Sequence, residues 1–394
     1  MKALIDIRDP ASVLTLFDIN LAERILRQLW VRGVREAWIL TDSRPLSLKA
    51  EFAHRFPMTV RTIRINESLS SEPADWIIVD GNGIYDDRVL DSLVNATEDI
   101  RIFDSLKRLT PIALKVYYSE TTDFISDVFE RRNVIPTETH LSDIRAIDSY
   151  IPFLRKSYVP TLRFVDEHDN LREIENDLFE KTFKSGLEWI AIYGYKIPVR
   201  ELTRFFANTP VTPNHITAVA MVCRWVSIPL LFMNWIGLGL LLIVFFIILD
   251  SLDGKLARMT FRFSDHADWI DHGSVLPTRL GWYAGLGWHY SGGDYTSPVG
   301  LMTLATFVFI VLDDINWVIA KRLFRRTLFD ITDFDSTVHL FTHRRNDMFV
   351  MLLGYFLGVG LNSFAFICLW VFGTWLWHSC RIIYVVSFLG LHKK

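Results

Sequence analysis

Asp250-Ser-Leu-Asp253-Gly254-Lys-Leu-Ala257-Arg258 closes a long apolar run, and a second acidic group, Asp265-His266-Ala267-Asp268-Trp-Ile-Asp271-His272, follows it closely. A charge at the centre of a bilayer costs on the order of 3 kcal/mol by insertion scales, so carboxylates crowded against apolar segments need a compensating partner. On a helix Asp250 and Asp253, three residues apart, share a face. Two carboxylates that close repel each other unless a cation lies between them. Hard oxygen donors at this spacing suit Mg²⁺ or Mn²⁺. Gly254 and Ala257 follow one turn on, small enough to let a bulky ligand settle against the backbone, with Arg258 as a fixed cation beside it. A single acid at a membrane boundary reads as a helix cap, but the whole constellation does not.

Working outward, the 394-residue chain is divided in composition. Its first half carries mixed charge, and from Val219 onward apolar and aromatic residues dominate. This predicts a soluble domain followed by a membrane domain. The net charge of -3 comes with no basic stripe, which excludes a nucleic-acid partner. Cys223, Cys368 and Cys380 fall in apolar segments without metal-ligand spacing and read as reduced packing residues. The N-terminus has no long apolar stretch, so no cleaved signal peptide is expected and the first domain is expected in the cytoplasm.

In the first part, Ala3-Leu-Ile-Asp, Glu36-Ala-Trp-Ile-Leu and Asp75-Trp-Ile-Ile-Val-Asp80 read as strands, and Leu21 to Val31 as a helix ending at Gly33. Strands alternating with helices predict an α/β domain with a parallel sheet over residues 1–145. Residues 146–212 read as a connector. It contains a polar turn around Arg163–Arg172, a helix from Asp177 to Gly186, and a juxtamembrane amphipathic helix in which Arg200 and Arg204 lie one turn apart, suited to the headgroup layer. Residues 213–394 open with Pro213 and Asn214 at a helix start. Apolar windows predict an all-α domain of six spans at about 215–234, 236–252, 266–289, 298–320, 346–361 and 363–390. Lys255, Arg258, Arg262, Lys321, Arg322, Arg325, Arg326, Arg344, Arg345, Lys393 and Lys394 all fall in alternate connections or at the tail. By the positive-inside rule both termini and the acidic stretch face the cytoplasm, in a bacterium the inner face of its inner membrane. Arg224, Arg279 and Arg381 are buried by position. Each is expected to bind substrate phosphate or to pair with Asp313, Asp314 or Asp347. Trp282, Tyr283 and Trp288 read as packing or interface aromatics.

Asp-x-x-Asp-Gly-x-x-Ala-Arg after a second span resembles the CDP-alcohol phosphotransferase (phosphatidyltransferase) family over about residues 195–390. Pro213-Asn214-His-Ile-Thr is similar to the family's approach to its first span, Asp271-His272-Gly273 to the Asp-His-Gly of its choline/ethanolamine branch, and Arg345-Asn-Asp347 to an Arg/Asp pair at the fifth span. The resemblance implies a multi-pass membrane transferase of phospholipid biosynthesis. Such an enzyme moves a substituted phosphate from a CDP-linked lipid donor, usually CDP-diacylglycerol, to an alcohol or phospho-alcohol acceptor, and releases CMP. It implies Asp250, Asp253 and Asp271 as metal ligands, Gly254, Ala257 and Arg258 around the CDP moiety, and a homodimer within membrane lipids. Residues 1–145 resemble the first half of sugar-nucleotide pyrophosphorylase-like nucleotidyltransferases. The phosphate-binding loop there reads Arg8-Asp-Pro-Ala-Ser-Val without a glycine, and Asp80 or Asn82 stands at the metal position. A domain keeping the fold without nucleotidyl transfer is therefore expected, with Asp80 and Asn82 otherwise serving as turn caps.

The second half of the family signature, eight residues and then Gly-x-x-x-Asp-x-x-x-Asp, is altered. Counting from Arg258 puts Ala267 at the Gly, Asp271 at the third Asp and Val275 at the fourth, the family's catalytic base. A shifted frame, Ser264-x-x-x-Asp268-x-x-x-His272, ends on a plausible base but shortens the loop; the Asp-His-Gly match favours Asp271. Asp268 or His272 is then the candidate base. A general base is typically worth 10²–10⁴-fold, so Val275 alone need not abolish transfer. The alternative is an impaired member acting as a lipid-nucleotide binding or scaffold protein, and a third is a bifunctional enzyme whose first domain binds CTP.

Overall fold

The computed structural model describes residues 1–42, 46–64, 67, 70–120, 129, 139–263, 268–325 and 327–389, and for residues 70–72, 119, 120, 268–273 and 389 the backbone alone. The chain forms two compact units, Met1–Thr182 with Met259–Phe261, and Phe183–Arg258 with Arg262–Lys394.

In the first unit, alternation of strand and helix produces β1 (Lys2–Asp6), α1 (Leu21–Val31), β2 (Glu36–Leu40), β3 (Thr59–Ile63), β4 (Ser70–Asp80), α2 (Asp87–Asn95), β5 (Ile100–Phe103), β6 (Ala113–Glu120), β7 (His140–Asp143) and α3 (Leu171–Lys181). Asn20 caps α1 by accepting from the Glu23 N–H at 2.6 Å, and Gly33 follows the helix at φ +88°. The seven-stranded sheet runs β7-β5-β6-β4-β1-β2-β3. Both faces of its centre are buried. Ala3, Ile5, Ile77 and Val79 enter one apolar core, while Leu4, Trp76 and Ile78 enter the other, which is why β1 and β4 read as continuous apolar runs.

The sheet corrects the parallel expectation, because it is mixed. The β1/β2, β1/β4, β2/β3 and β5/β7 pairs are parallel, but β6 runs antiparallel to both β4 and β5. The connection from Phe103 to Ala113 is too short for the crossover of a dozen or more residues that a parallel neighbour requires, so β6 turns back beside β5. The helix expected at Asp177–Gly186 is also displaced: α3 begins at Leu171, where the Asn170 side chain accepts from the Glu173 N–H, and ends at Thr182, whose hydroxyl donates to the Phe179 carbonyl.

In the second unit the helices are α4 (Lys196–Ala207), α5 (Pro213–Phe232), α6 (Ile236–Thr260, whose last two residues are grouped with the first unit), α7 (Asp268–Tyr290), α8 (Pro298–Phe324), α9 (Asp333–Leu340), α10 (Asn346–Phe356) and α11 (Gly360–Tyr384). On α4, Val199, Thr203 and Ala207 are buried, while Ile197 and Phe205 are exposed. Thr212 caps α5, with Pro213 in its first turn. Among the described residues four helices, α5, α6, α8 and α11 continued to Phe388, are long and apolar enough to cross a membrane, which makes this an integral membrane protein. α7 and α10 lie at the expected third and fifth spans but are not among these four. α7 is interrupted by charged residues and glycines. The eleven residues of α10 extend about 16 Å, roughly half of a hydrocarbon core, before Gly358 at φ +76° breaks the helix.

Candidate functional site

Helical periodicity places Asp250, Asp253, Gly254 and Ala257 on one stripe of α6. Leu249, Leu252 and Leu256, on the flanking stripe, are buried. The two expected carboxylate ligands therefore project from the same side, held by packing beside them.

Each carboxylate has its own partner. Asp250 Oδ2 accepts from Arg345 Nη2 at 2.8 Å, a contact that joins α6 to the start of α10. Asp253 Oδ2 accepts from the Thr217 hydroxyl of α5 at 2.6 Å, and Asp253 Oδ1 accepts from the Gly254 N–H. Arg258 leans back over Gly254, so that a Cβ there would lie 3.3 Å from Arg258 Nη2. Its Nε is buried without a hydrogen-bond partner among the described residues. A buried guanidinium nitrogen left unpaired is costly, and a phosphate oxygen is the acceptor it suits best. Lys255, also buried, donates to the Ser251 hydroxyl at 2.7 Å and sits over the Phe183 ring. Two hard carboxylates on one face fit a divalent cation of the Mg²⁺ type. Among the described residues no group of three His, Cys, Asp or Glu side chains is gathered around one point. Asp271, the expected third ligand, and the candidate bases Asp268 and His272 lie on the first two turns of α7 with only their backbone described; Asp265, His266 and Ala267 lie outside the described residues. Val275 follows on the same helix with 44% of its surface exposed.

The other expected positions divide. Arg279 pairs with Asp314 at 2.6 Å, one of the partners that its burial suggested. Arg381 instead forks onto Asp335 at 2.6 and 2.8 Å. Arg224 Nε donates to the Thr278 hydroxyl at 2.7 Å. Arg345 and Asp347 do not pair with each other: Asp347 accepts from the Tyr283 hydroxyl at 2.7 Å, a polar role for a residue read as packing. Trp282 Nε1 donates to the Ser227 hydroxyl at 2.9 Å.

Sequence reasoning offered Asp313 only as a partner for Arg224, Arg279 or Arg381, whereas it is the middle of a second polar centre with other partners. Asp313 of α8, 1% exposed, contacts His378 Nδ1 of α11 at 2.5 Å and lies 3.6 Å from Arg344 Nη2. Arg344 stacks on Trp317 at 3.9 Å. His343 is fully buried, and neither of its ring nitrogens has a hydrogen-bond partner among the described residues. The available signal was His343-Arg344-Arg345 together with His378 in an apolar helix, because ionisable groups at membrane depth face the bundle interior and each other.

In the first unit, Asp80 and Asn82 have structural partners. Asp80 Oδ2 accepts from the buried Ile112 N–H at 2.7 Å; Asn82 Nδ2 donates to Asp9 at 2.9 Å and to the Val165 carbonyl at 3.2 Å. Arg8, in the glycine-free loop, forks back onto Asp6 at 3.0 and 2.9 Å.

Residues 210–274 match the model of the family described as CDP-alcohol phosphatidyltransferase. The match covers α5, α6 and the start of α7, and so contains the whole Asp250–Arg258 stretch. No curated protein matches the chain.

Proposed function

We propose that this chain, carrying a CDP-alcohol phosphatidyltransferase domain at residues 210–274, is a membrane transferase that moves a phosphatidyl group from a CDP-linked donor, CDP-diacylglycerol, to an alcohol with release of CMP. The observation that carries the reading is the set Asp250, Asp253, Gly254, Ala257 and Arg258 displayed along one side of α6 inside the matched segment.

In the proposed reaction the acceptor hydroxyl oxygen forms a bond to the donor phosphorus, the bond from that phosphorus to the CMP oxygen breaks, and the hydroxyl proton passes to a base. Asp250, Asp253 and Asp271 would hold Mg²⁺ or Mn²⁺, which when bound supplies charge neutralisation on the leaving CMP. The small residues Gly254 and Ala257 let the cytidine diphosphate lie close to α6, with Arg258 donating to its phosphates. Thr217 fixes the rotamer of Asp253. Asp268 or His272 would take the proton. In-line attack needs such positioning and electrostatics more than a protein nucleophile. The reading includes six spans, with α7 and α10 completing the bundle, cytoplasmic termini, and a homodimer. The first unit keeps a nucleotidyltransferase-like layout without the activity, in line with the structural bonds that occupy Asp80 and Asn82. Titration of CTP into the full chain tests that last part, which saturable binding dependent on Asp80 would overturn.

The central test is release of radiolabelled CMP from CDP-diacylglycerol by the purified protein, with Mg²⁺ and a panel of acceptor alcohols. Release that requires both acceptor and Mg²⁺ is expected. Retained CDP binding with no turnover on any acceptor would favour the second reading, a lipid-nucleotide binding protein, for which valine at position 275 is the specific observation.

A further inference from the structure

We propose that Arg345 is an exchangeable counter-ion of the carboxylate pair: its guanidinium holds Asp250 while no metal is bound, and metal binding releases it toward an anionic group of the substrate. The inference rests on the reading of Asp250 and Asp253 as metal ligands.

The two carboxylates are held differently. Asp253 accepts from the Thr217 hydroxyl and the Gly254 backbone amide, and it also lies in the field of Lys255 and Arg258. Asp250 instead meets a full positive charge, Arg345 Nη2, at 2.8 Å from Oδ2. A divalent ion sits about 2.1 Å from a carboxylate oxygen. A guanidinium on the same carboxylate would then face the ion at close range, like charge against like charge. The two cations therefore compete for Asp250.

The surroundings let Arg345 give way. Its side chain is 41% exposed although it also faces Tyr195 and Glu188, whereas that of Asp250 is 20% exposed on a packed helix. Arg345 stands at the N-cap of α10, and the neighbouring backbone is fixed by Asn346, which donates to the Leu340 and Thr342 carbonyls, and by the Tyr283–Asp347 bond. The side chain can swing while its anchor stays. Once released, its planar fork is suited to a phosphate and carries a charge that Asp250 no longer neutralises. Metal and anionic substrate would then bind with positive coupling through one arginine.

The test uses the full-length protein in nanodiscs with Mn²⁺ as the probe, free Mn²⁺ being read by electron paramagnetic resonance. Asp250→Asn should weaken Mn²⁺ binding at least tenfold; if it does not, or if no variant binds Mn²⁺, the metal reading falls and the exchange with it. With that dependence present, Arg345→Gln should bind Mn²⁺ at least tenfold more tightly than wild type, and Arg345→Lys should stay within a few-fold of it. Equal or weaker binding by Arg345→Gln overturns the exchange while leaving the metal site standing. A second measurement needs no variant: phenylglyoxal modification of Arg345, followed by mass spectrometry, should speed up several-fold on addition of Mn²⁺. An unchanged or slower rate overturns the proposal.

Discussion

At the scale of single residues, Asp253 and Thr217 separate ligation from positioning. Asp253→Asn should lower CMP release by 10²-fold or more, because a neutral amide cannot hold a hard cation as a carboxylate does. Thr217→Val keeps the carboxylate and removes only the 2.6 Å bond that orients it. It should lower kcat by about tenfold, in line with the loss of a positioning contact, and Thr217→Ser should restore the rate. Equal loss in the valine and serine variants would point to packing instead. Val275→Asp addresses the altered half of the motif. With Asp271 as the third ligand, an acid four residues later falls on the same face of α7, and CMP release should rise by about 10²-fold, the lower end of general-base assistance. A decrease would favour the frame ending at His272.

At the scale of elements, the turn after β4 shows what the first unit uses its acidic positions for. A Cβ on Gly81 would lie 2.7 Å from the Asp6 carbonyl oxygen, so only glycine lets this turn close on β1. Asn82 beside it bridges Asp9 and Val165. Asn82→Ala should therefore cost about 1–3 kcal/mol of stability, measured by denaturant unfolding, with no change in the rate of CMP release per folded molecule. Sequence periodicity found β1, β2, β4 and α1 because a strand buried on both faces and an amphipathic helix each leave a pattern. It did not reveal the direction of β6, since alternation records which face a side chain takes and not which way the chain runs. The start of α3 was legible, as Asn170 followed by Glu173 is a capping pattern. On α6 the shared side of Asp250 and Asp253 could be read from spacing alone. The partners Thr217 and Arg345 could not, because they come from α5 and α10 through tertiary packing. The same applies to Asp313 and His378, which lie 65 residues apart in the chain.

At the scale of the whole molecule, a buried carboxylate makes the first unit sensitive to acid. Burial alone would raise the pKa of Asp104, but hydrogen bonds from Arg145 and the Leu106 N–H override it and hold the carboxyl below its ordinary value. Arg145 lies 2.8 Å away. A folded-state pKa below the unfolded one means that this stabilisation is complete above the ordinary carboxylate pKa of about 4 and is lost as pH falls through the folded value. Hydrogen exchange of peptides spanning β5 and β6 in the full chain should be steady from pH 7 to 5 after correction for intrinsic rates. Opening should increase below about pH 4, and Asp104→Asn should flatten that dependence. The seven-stranded sheet carries one more consequence, for solubility. Among the described residues its outermost strands are the short β3 and β7, and they place Arg61 on one edge and His140 and Asp143 on the other. Short edges bearing charged and polar side chains are poor templates for an incoming strand. Neutralising them, for instance with Arg61→Val and Asp143→Val together, should turn a sheet that ends cleanly into one that recruits further copies, seen as light scattering that grows with protein concentration.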